Sequence, residues 1–218
     1  MMSDQDPSSI KTIARMPMIG DIAPDFECRT THGVRRLSDH RGRWLVLFSH
    51  PADFTPVCTS EFVAFARMAP EFARVGCELL GLSVDSLFSH IAWVRTIERR
   101  FGLAVPFPVV EDPSMAIASA YGMIHPGAGD SATVRGCFVI DPQGVIRMSC
   151  WYPMSTGRNV GEILRTVVAL QVHDAEGVST PENWQPGDEV IEMAAFETGD
   201  GRDVAEWFYQ TRKLEAAE

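Results

Sequence analysis

Cys58 stands in the stretch His50-Pro51-Ala52-Asp53-Phe54-Thr55-Pro56-Val57-Cys58-Thr59-Ser60-Glu61, behind a threonine and a proline and with no second cysteine close by. Thr55 is a good helix cap, and Pro56 suits the first helical position, where its missing N–H has no intrahelical partner in any case. Cys58 then occupies the third helical position, inside the first turn. Free backbone N–H groups and the positive end of the helix dipole meet there, and both favour a thiolate over a thiol. The Thr55 hydroxyl is close enough to donate a hydrogen bond to the sulfur. A thiolate held in this way is a nucleophile.

The remaining thiols and imidazoles offer less. Cys28, Cys77, Cys137 and Cys150 lie in or beside apolar strands and read as small buried residues. No two cysteines have C-x-x-C spacing, so neither a dithiol redox motif nor a zinc ribbon is supported. His32, His40, His90, His125 and His173 are scattered without H-x-x-x-H spacing. The sequence therefore calls for no metal and no cofactor.

The elements that must position Cys58 follow from the apolar pattern. Trp44–Ser49 is a continuous apolar run between Gly42 and Pro51, the mark of a strand buried on both faces. From Cys58 to about Ala69 the apolar residues Phe62, Phe65, Ala66 and Ala69 recur at helical spacing. A strand over Leu79–Val84, a helix marked by Ile91, Val94 and Ile97, and a short strand at Phe107–Val110 come next. Asp112 and Pro113 read as the cap and first position of a further helix. Thr133–Ile140 and Val145–Tyr152 form a hairpin around Asp141-Pro142-Gln143-Gly144. Val160, Ile163, Leu164, Val167 and Val168 stripe a helix capped by Asn159. Ahead of these, residues 23–26 lead into a short strand and Thr31-His32-Gly33 is a turn.

The core order β-α-β-α-β-α-β-β-α requires parallel strands with crossover helices plus one antiparallel hairpin: an α/β fold with a mixed central sheet and helices on both faces. Cys58 then sits at the C-terminal edge of the sheet, where open α/β sheets place ligands. The division is 1–173 for the main domain and 174–218 for a C-terminal extension with a turn-rich linker at Pro181–Gly187. A last helix is predicted near Val204–Leu214. Trp184, Phe196, Trp207, Phe208 and Tyr209 are too many aromatics for so short a tail to bury alone, so it packs on the main domain or on another subunit.

The 218 residues are 45% hydrophobic and 22% charged, as in ordinary globular proteins. A net charge of −10 argues against a general nucleic-acid binder. No run approaches the roughly 20 apolar residues of a spanning helix, so no membrane partner is expected. Without an apolar signal region in MMSDQDPSSIK, the expected address is the reducing cytoplasm.

These residues carry a resemblance. Pro51-x-x-x-Thr55-x-x-Cys58 is similar to the active-site signature of the peroxiredoxins. The longer FSHPADFTPVCTSEF, with Leu80–Ser86, resembles the peroxiredoxin-six (1-Cys) subfamily and its archaeal thioredoxin-peroxidase members. The match continues through Thr133–Gly136, Phe138–Asp141 and Tyr152-Pro153-Met154-x-x-Gly157-Arg158, covering roughly residues 16 to 195. It implies a thioredoxin-like fold and an antioxidant thiol peroxidase acting on hydrogen peroxide and organic hydroperoxides through a sulfenic acid. By resemblance, Arg135 supplies a cationic donor to the sulfur and the leaving oxygen, Thr55 binds sulfur and peroxide, and Pro51 walls the pocket. Arg158 helps fix the pocket through Glu61, and His50 matches a pocket histidine.

No cysteine follows Cys150, which removes the usual C-terminal resolving candidates. Cys137 shares a strand face with Arg135, but a strand cysteine cannot swing as an arm does. A one-cysteine cycle completed by an external thiol, a thioredoxin-like protein or glutathione, is expected. The lipase-like activity of some subfamily members needs G-x-S-x-G, and no such motif is present. The resemblance implies at least a homodimer and allows five dimers to close into a decamer. Two other readings compete: a ring-forming holdase chaperone or peroxide sensor, and, more weakly, a cysteine hydrolase, for which no Cys-His-Asn arrangement is evident. Joint presence of Pro51, Thr55, Cys58 and Arg135 favours the peroxidase.

Overall fold

In the computed structural model, which describes residues 16–124, 129–192 and 209–214, the chain opens with a hairpin of β1 (Glu27–Thr30) and β2 (Gly33–Arg36), followed by a 3-10 turn at Leu37–His40. Then come β3 (Trp44–Ser49), α1 (Pro56–Arg74), β4 (Cys77–Ser83), α2 (Leu87–Phe101), β5 (Val109–Glu111) and α3 (Ala116–Ala120). β6 (Arg135–Ile140), β7 (Ile146–Tyr152) and α4 (Val160–Glu176) complete the main body. From β3 to α4 this is the predicted order. The returning strand β2 is an addition: Gly33-Val34-Arg35-Arg36 is mostly exposed and has no apolar run to announce it.

The seven strands lie in the order β2-β1-β5-β4-β3-β6-β7. β3, β4 and β5 are parallel neighbours, and β6 and β7 add antiparallel partners on the far side of β3. Because side chains alternate across a strand, each central strand feeds both faces. Val46 and Phe48 of β3 and Cys137 and Val139 of β6 point toward α1, α2 and α4. Leu45 and Leu47 of β3 and Phe138 and Ile140 of β6 point toward α3 and Tyr121. Phe48 stacks on Phe65 with ring centroids 4.0 Å apart, pinning α1 to the middle of the sheet. Each such buried aromatic contributes about 1.5–3 kcal/mol relative to exposure.

Three local predictions need correction. α1 runs through Pro70 to Arg74 rather than stopping near Ala69. Pro70 gives up its N–H bond and crowds the Ala66 carbonyl, but the apolar face continues to Phe72, which is fully buried and holds the last turn to the core. α3 begins at Ala116, not at Pro113, because Met115 adopts a left-handed conformation (φ 59°). Asp112 still serves this segment, its Oδ2 accepting from the Ala118 N–H at 2.7 Å. The described part of the predicted last helix is extended: β9 (Thr211–Arg212) pairs with β8 (Val190–Ile191). Its residues 204–208, like Phe196, Trp207 and Phe208, lie outside the described residues. Trp184 is buried against Ala169 of α4, with Val178 and Val190, so this part of the tail packs on its own chain.

Candidate active site

β3 ends at Ser49, and the His50 N–H still reaches Leu82 O at 2.9 Å, so the chain leaves the sheet edge from a fixed point. It turns through residues 50–55 and enters α1. Phe54 takes φ 58°, a conformation costly for a non-glycine residue, and this directs the flanking Asp53 inward while Phe54 itself is exposed. Thr55 is the backbone N-cap (φ −92°, ψ 148°), and its carbonyl accepts the first helical bond from Thr59 N at 2.9 Å. Cys58 is therefore at the third helical position and is fully buried. The Thr55 hydroxyl departs from expectation. It makes no capping bond and donates to Ala52 O at 2.8 Å, closing the turn instead of meeting the sulfur.

Arg135 arrives from the start of β6. Ser49 Oγ donates to Val134 O (2.6 Å) and accepts from Gly136 N (3.0 Å), clamping β6 to the end of β3. A side chain at position 136 would place its Cβ 2.9 Å from the Trp151 ring, so glycine permits this close approach. Arg135 Nη1 donates to Cys58 Sγ at 3.3 Å and to Glu61 Oε2 at 2.6 Å, while Nε and Nη2 hold Met154 O at 3.2 and 2.7 Å.

Arg158 binds the other side of the carboxylate. Its backbone N and Nε reach Glu61 Oε1 at 2.8 Å each, Nη2 reaches Oε2 at 3.0 Å, and Nη1 donates to Gly136 O at 2.8 Å. Burial works to raise the Glu61 carboxyl, but Arg158 and then Arg135 outweigh it and hold the group below its ordinary value. All three side chains are almost sealed from solvent. Two guanidinium groups on one carboxylate leave a buried charge of +1. A thiolate at Cys58 is the group that would balance it, and the donor at 3.3 Å is aimed at that sulfur.

A second buried network flanks the turn. Asp53 accepts from His50 Nε2 at 2.9 Å and from His90 Nδ1 at 2.9 and 3.1 Å, and Asp85 Oδ2 receives the Asp53 N–H at 3.0 Å. Burial acts to raise Asp53, yet the hydrogen bonds from His50 and His90 prevail and hold it well below the usual carboxylate range. Burial lowers His50, which keeps the ring neutral with its proton on Nε2. His50 Nδ1 is then a bare lone pair, buried and without a partner among the described residues. His90 Nε2 meets Val110 O at 3.1 Å, so both of its ring nitrogens face acceptors. Sequence spacing leaves His90 unassigned; the fold brings it to Asp53 and, through Asp53, to His50. The three offer ligand atoms within 4.8 Å of one another, but those atoms already satisfy one another by hydrogen bonds.

Of the predicted site residues, Cys58, Arg135, Glu61 and Arg158 form one contiguous cluster, and Pro51 and His50 are buried in the turn that leads to it. Thr55 lies in the same turn, half-buried, with its hydroxyl committed to Ala52. Asp53 and His90 are the residues that sequence reasoning missed. A concavity of about 840 Å³ lies elsewhere, at the opposite edge of the sheet between Pro70, Glu78 and Phe107, and shares no residue with this cluster. No helix among the described residues is long and apolar enough to cross a membrane.

Comparison with known proteins places these features in a family context. Residues 19–149 match the AhpC/TSA family, and residues 169–195 match the C-terminal domain of 1-Cys peroxiredoxin. A peroxiredoxin of Aquifex aeolicus is 51% identical over 187 residues, covering 85% of this chain and 84% of its own. One from Methanosarcina mazei is 53% identical over 183 residues, covering 81% and 84%. Among solved structures, a yeast mitochondrial 1-Cys peroxiredoxin superposes with a TM-score of 0.83 at 39% identity, over 91% of this chain and 100% of that one. A mutant of peroxiredoxin 6 from Arenicola marina gives 0.78 at 34% identity, over 83% and 86%.

Proposed function

We propose, from the premise that this chain belongs to the peroxiredoxin family of thiol-dependent peroxidases, that Cys58 is the residue that attacks the hydroperoxide. The observation that carries the assignment is the buried cluster of Arg135, Glu61 and Arg158, one positive charge in excess, with its nearest donor 3.3 Å from Sγ. The thiolate sulfur attacks the nearer peroxide oxygen, the O–O bond breaks, and Cys58 becomes a sulfenic acid. The departing oxygen takes up a proton and leaves as water or an alcohol. Negative charge moves from sulfur toward that oxygen, and the Arg135 guanidinium, fixed by Glu61 and Met154, stabilises it without having to reorganise.

Thr55 and Pro51 complete the pocket. With its proton given to Ala52 O, the Thr55 hydroxyl is free to accept from the peroxide O–H. Pro51, buried in the turn, keeps water from the thiolate. His50 fixes the turn through Asp53, and Glu61 and Arg158 position Arg135.

The sulfenic acid is reduced by an external thiol, a thioredoxin-like protein or glutathione. The thiol-resolving mechanism of the yeast mitochondrial relative runs through glutathione/thioredoxin systems, which supports this choice. We further assign residues 1–173 to the peroxidase domain and 174–218 to an extension that serves a homodimer or a decamer built from it, in the cytoplasm.

Treating the reduced protein with one equivalent of hydrogen peroxide and mapping the products by mass spectrometry tests the proposal. Sulfenic acid at Cys58, absent from Cys58→Ser and removed by thioredoxin or glutathione, is the expected result. A Cys58–Cys137 disulfide would sink the external-reductant step. Oxidation of Cys58 no faster than that of free cysteine would sink the catalytic role.

A further inference from the structure

Two thiols outside the peroxidase site face each other across the last hairpin. Cys137 of β6 and Cys150 of β7 are direct cross-strand partners in the antiparallel register. Residues directly opposite in such a ladder have Cα atoms about 4.5–5.5 Å apart, within the roughly 4.4–6.8 Å that a disulfide spans. Both side chains lie on the helix-covered face of the sheet, Cys137 inside the core and Cys150 packed at its margin. Cys137 is fully buried, whereas Cys150 is partly exposed. Both are free thiols.

We propose that Cys137 and Cys150 form a second redox site, a cross-strand dithiol that a hydroperoxide oxidises to a disulfide independently of Cys58. Exposure makes Cys150 the first to react. Its sulfur attacks one peroxide oxygen, the O–O bond breaks, and water or an alcohol departs, leaving a Cys150 sulfenic acid. The Cys137 sulfur then attacks the Cys150 sulfur. The S–S bond forms, the S–O bond breaks, and the hydroxyl leaves with the Cys137 proton as water. Two thiols have supplied two electrons, and one hydroperoxide has been reduced to an alcohol or water plus water.

The electrostatics agree with this order of events. Interaction with Cys150 and complete burial push Cys137 well above its ordinary value, while interaction with Cys137 and the nearby Arg158 draw Cys150 below it. Cys150 is therefore the member that presents a thiolate, and Cys137 the one that keeps its proton until the second step. Cys28 and Cys77 are pushed up to about 12, chiefly by burial, and have no cross-strand thiol partner. The strand geometry that disqualifies Cys137 as a swinging resolving arm for Cys58 does not matter here, because its partner is already opposite.

The test uses the full-length Cys58→Ser protein, so that failure of the peroxidase assignment does not enter. Reduced protein is treated with a tenfold excess of hydrogen peroxide, and thiols, mass and linked peptides are measured. The expected result is a fall from four free thiols to two, a mass loss of about 2 Da, a peptide pair joined through Cys137 and Cys150, and full reversal by dithiothreitol. Adding Cys150→Ser abolishes the 2 Da loss. Peptide mapping of the wild-type chain under the same excess shows the same joined pair, so the result does not depend on how a variant folds. Stepwise oxygen addition at Cys150 with Cys137 still alkylatable would overturn the proposal, as would a disulfide joining either residue to another cysteine instead.

Discussion

Replacing Arg135 by methionine separates catalysis from stability, because the structure assigns the two roles of the buried cluster to different bonds. Arg135 supplies one of the four hydrogen bonds on the Glu61 carboxylate, and Arg158 supplies three. Arg135→Met leaves a one-to-one pair of Glu61 and Arg158. The stability loss is then about 2 kcal/mol, the scale of one charge-assisted bond. The Met154 carbonyl loses two donors but belongs to an exposed residue and is rewetted. Cys58 loses the donor seen at 3.3 Å from its sulfur. Removing one preorganised donor to developing negative charge costs about 100- to 1,000-fold in rate, or about 3–4 kcal/mol. Arg158→Met costs more: Glu61 loses both side-chain bonds from Arg158 and keeps Arg135 and the residue-158 backbone N–H, a loss of about 3–6 kcal/mol, the scale of two charge-assisted bonds. The assay is the second-order rate of Cys58 sulfenic acid formation by stopped flow, well below the melting temperature, alongside urea unfolding of each variant. Two results would refute the reasoning. One is an Arg135→Met rate within about tenfold of wild type. The other is a stability loss matching that of Arg158→Met, which would mean Arg135 holds the cluster rather than serves the sulfur.

Acid sensitivity follows from the network at the turn. Burial keeps His50 neutral in the folded state, whereas the unfolded residue takes up a proton near pH 6.5. The unfolded chain thus binds more protons as the pH falls below about 6.5, and this group's contribution to stability is lost with it. Asp53, held low in the folded state, contributes stability that is present above its unfolded value near 4 and is lost as the pH falls further. Urea unfolding of wild type and His50→Gln from pH 7.5 to 5.5 will show a flatter dependence in the variant; equal slopes would contradict the buried neutral ring. In the tail, Trp184→Ala removes the largest side chain of a small cluster on α4, at a local cost of about 3–5 kcal/mol. Limited proteolysis is expected to cut beyond Gly177 while the peroxide rate is unchanged, and a fall in the main melting transition by the same amount would show the extension to be integral to the core.

Local physics made much of this protein legible before any coordinates. The run Trp44–Ser49 reads as a doubly buried strand because it lacks alternation, and it is one. Thr55-Pro56 sets the start of α1 because backbone capping is decided within a few residues, and Cys58 lands at the third position as expected. The roles of Arg135, Glu61 and Arg158 came from resemblance alone, since no spacing rule joins a strand arginine to a helix thiol 77 positions away. Only the packed sheet decides that β6 lies beside β3, and with it that two guanidinium groups converge on one carboxylate. The same holds for His90, brought to Asp53 across 37 positions, and for Cys150, which becomes a partner of Cys137 only once the hairpin register is set. The Thr55 hydroxyl went to Ala52 rather than to sulfur because the left-handed Phe54 tightens the turn, a conformation that a phenylalanine in sequence gives no reason to expect. Propensity and capping are properties of neighbours along the chain, and they determined where the elements and the nucleophile stand. Charge pairing in a buried site depends on which distant segments share a sheet edge, and tertiary structure alone decided that.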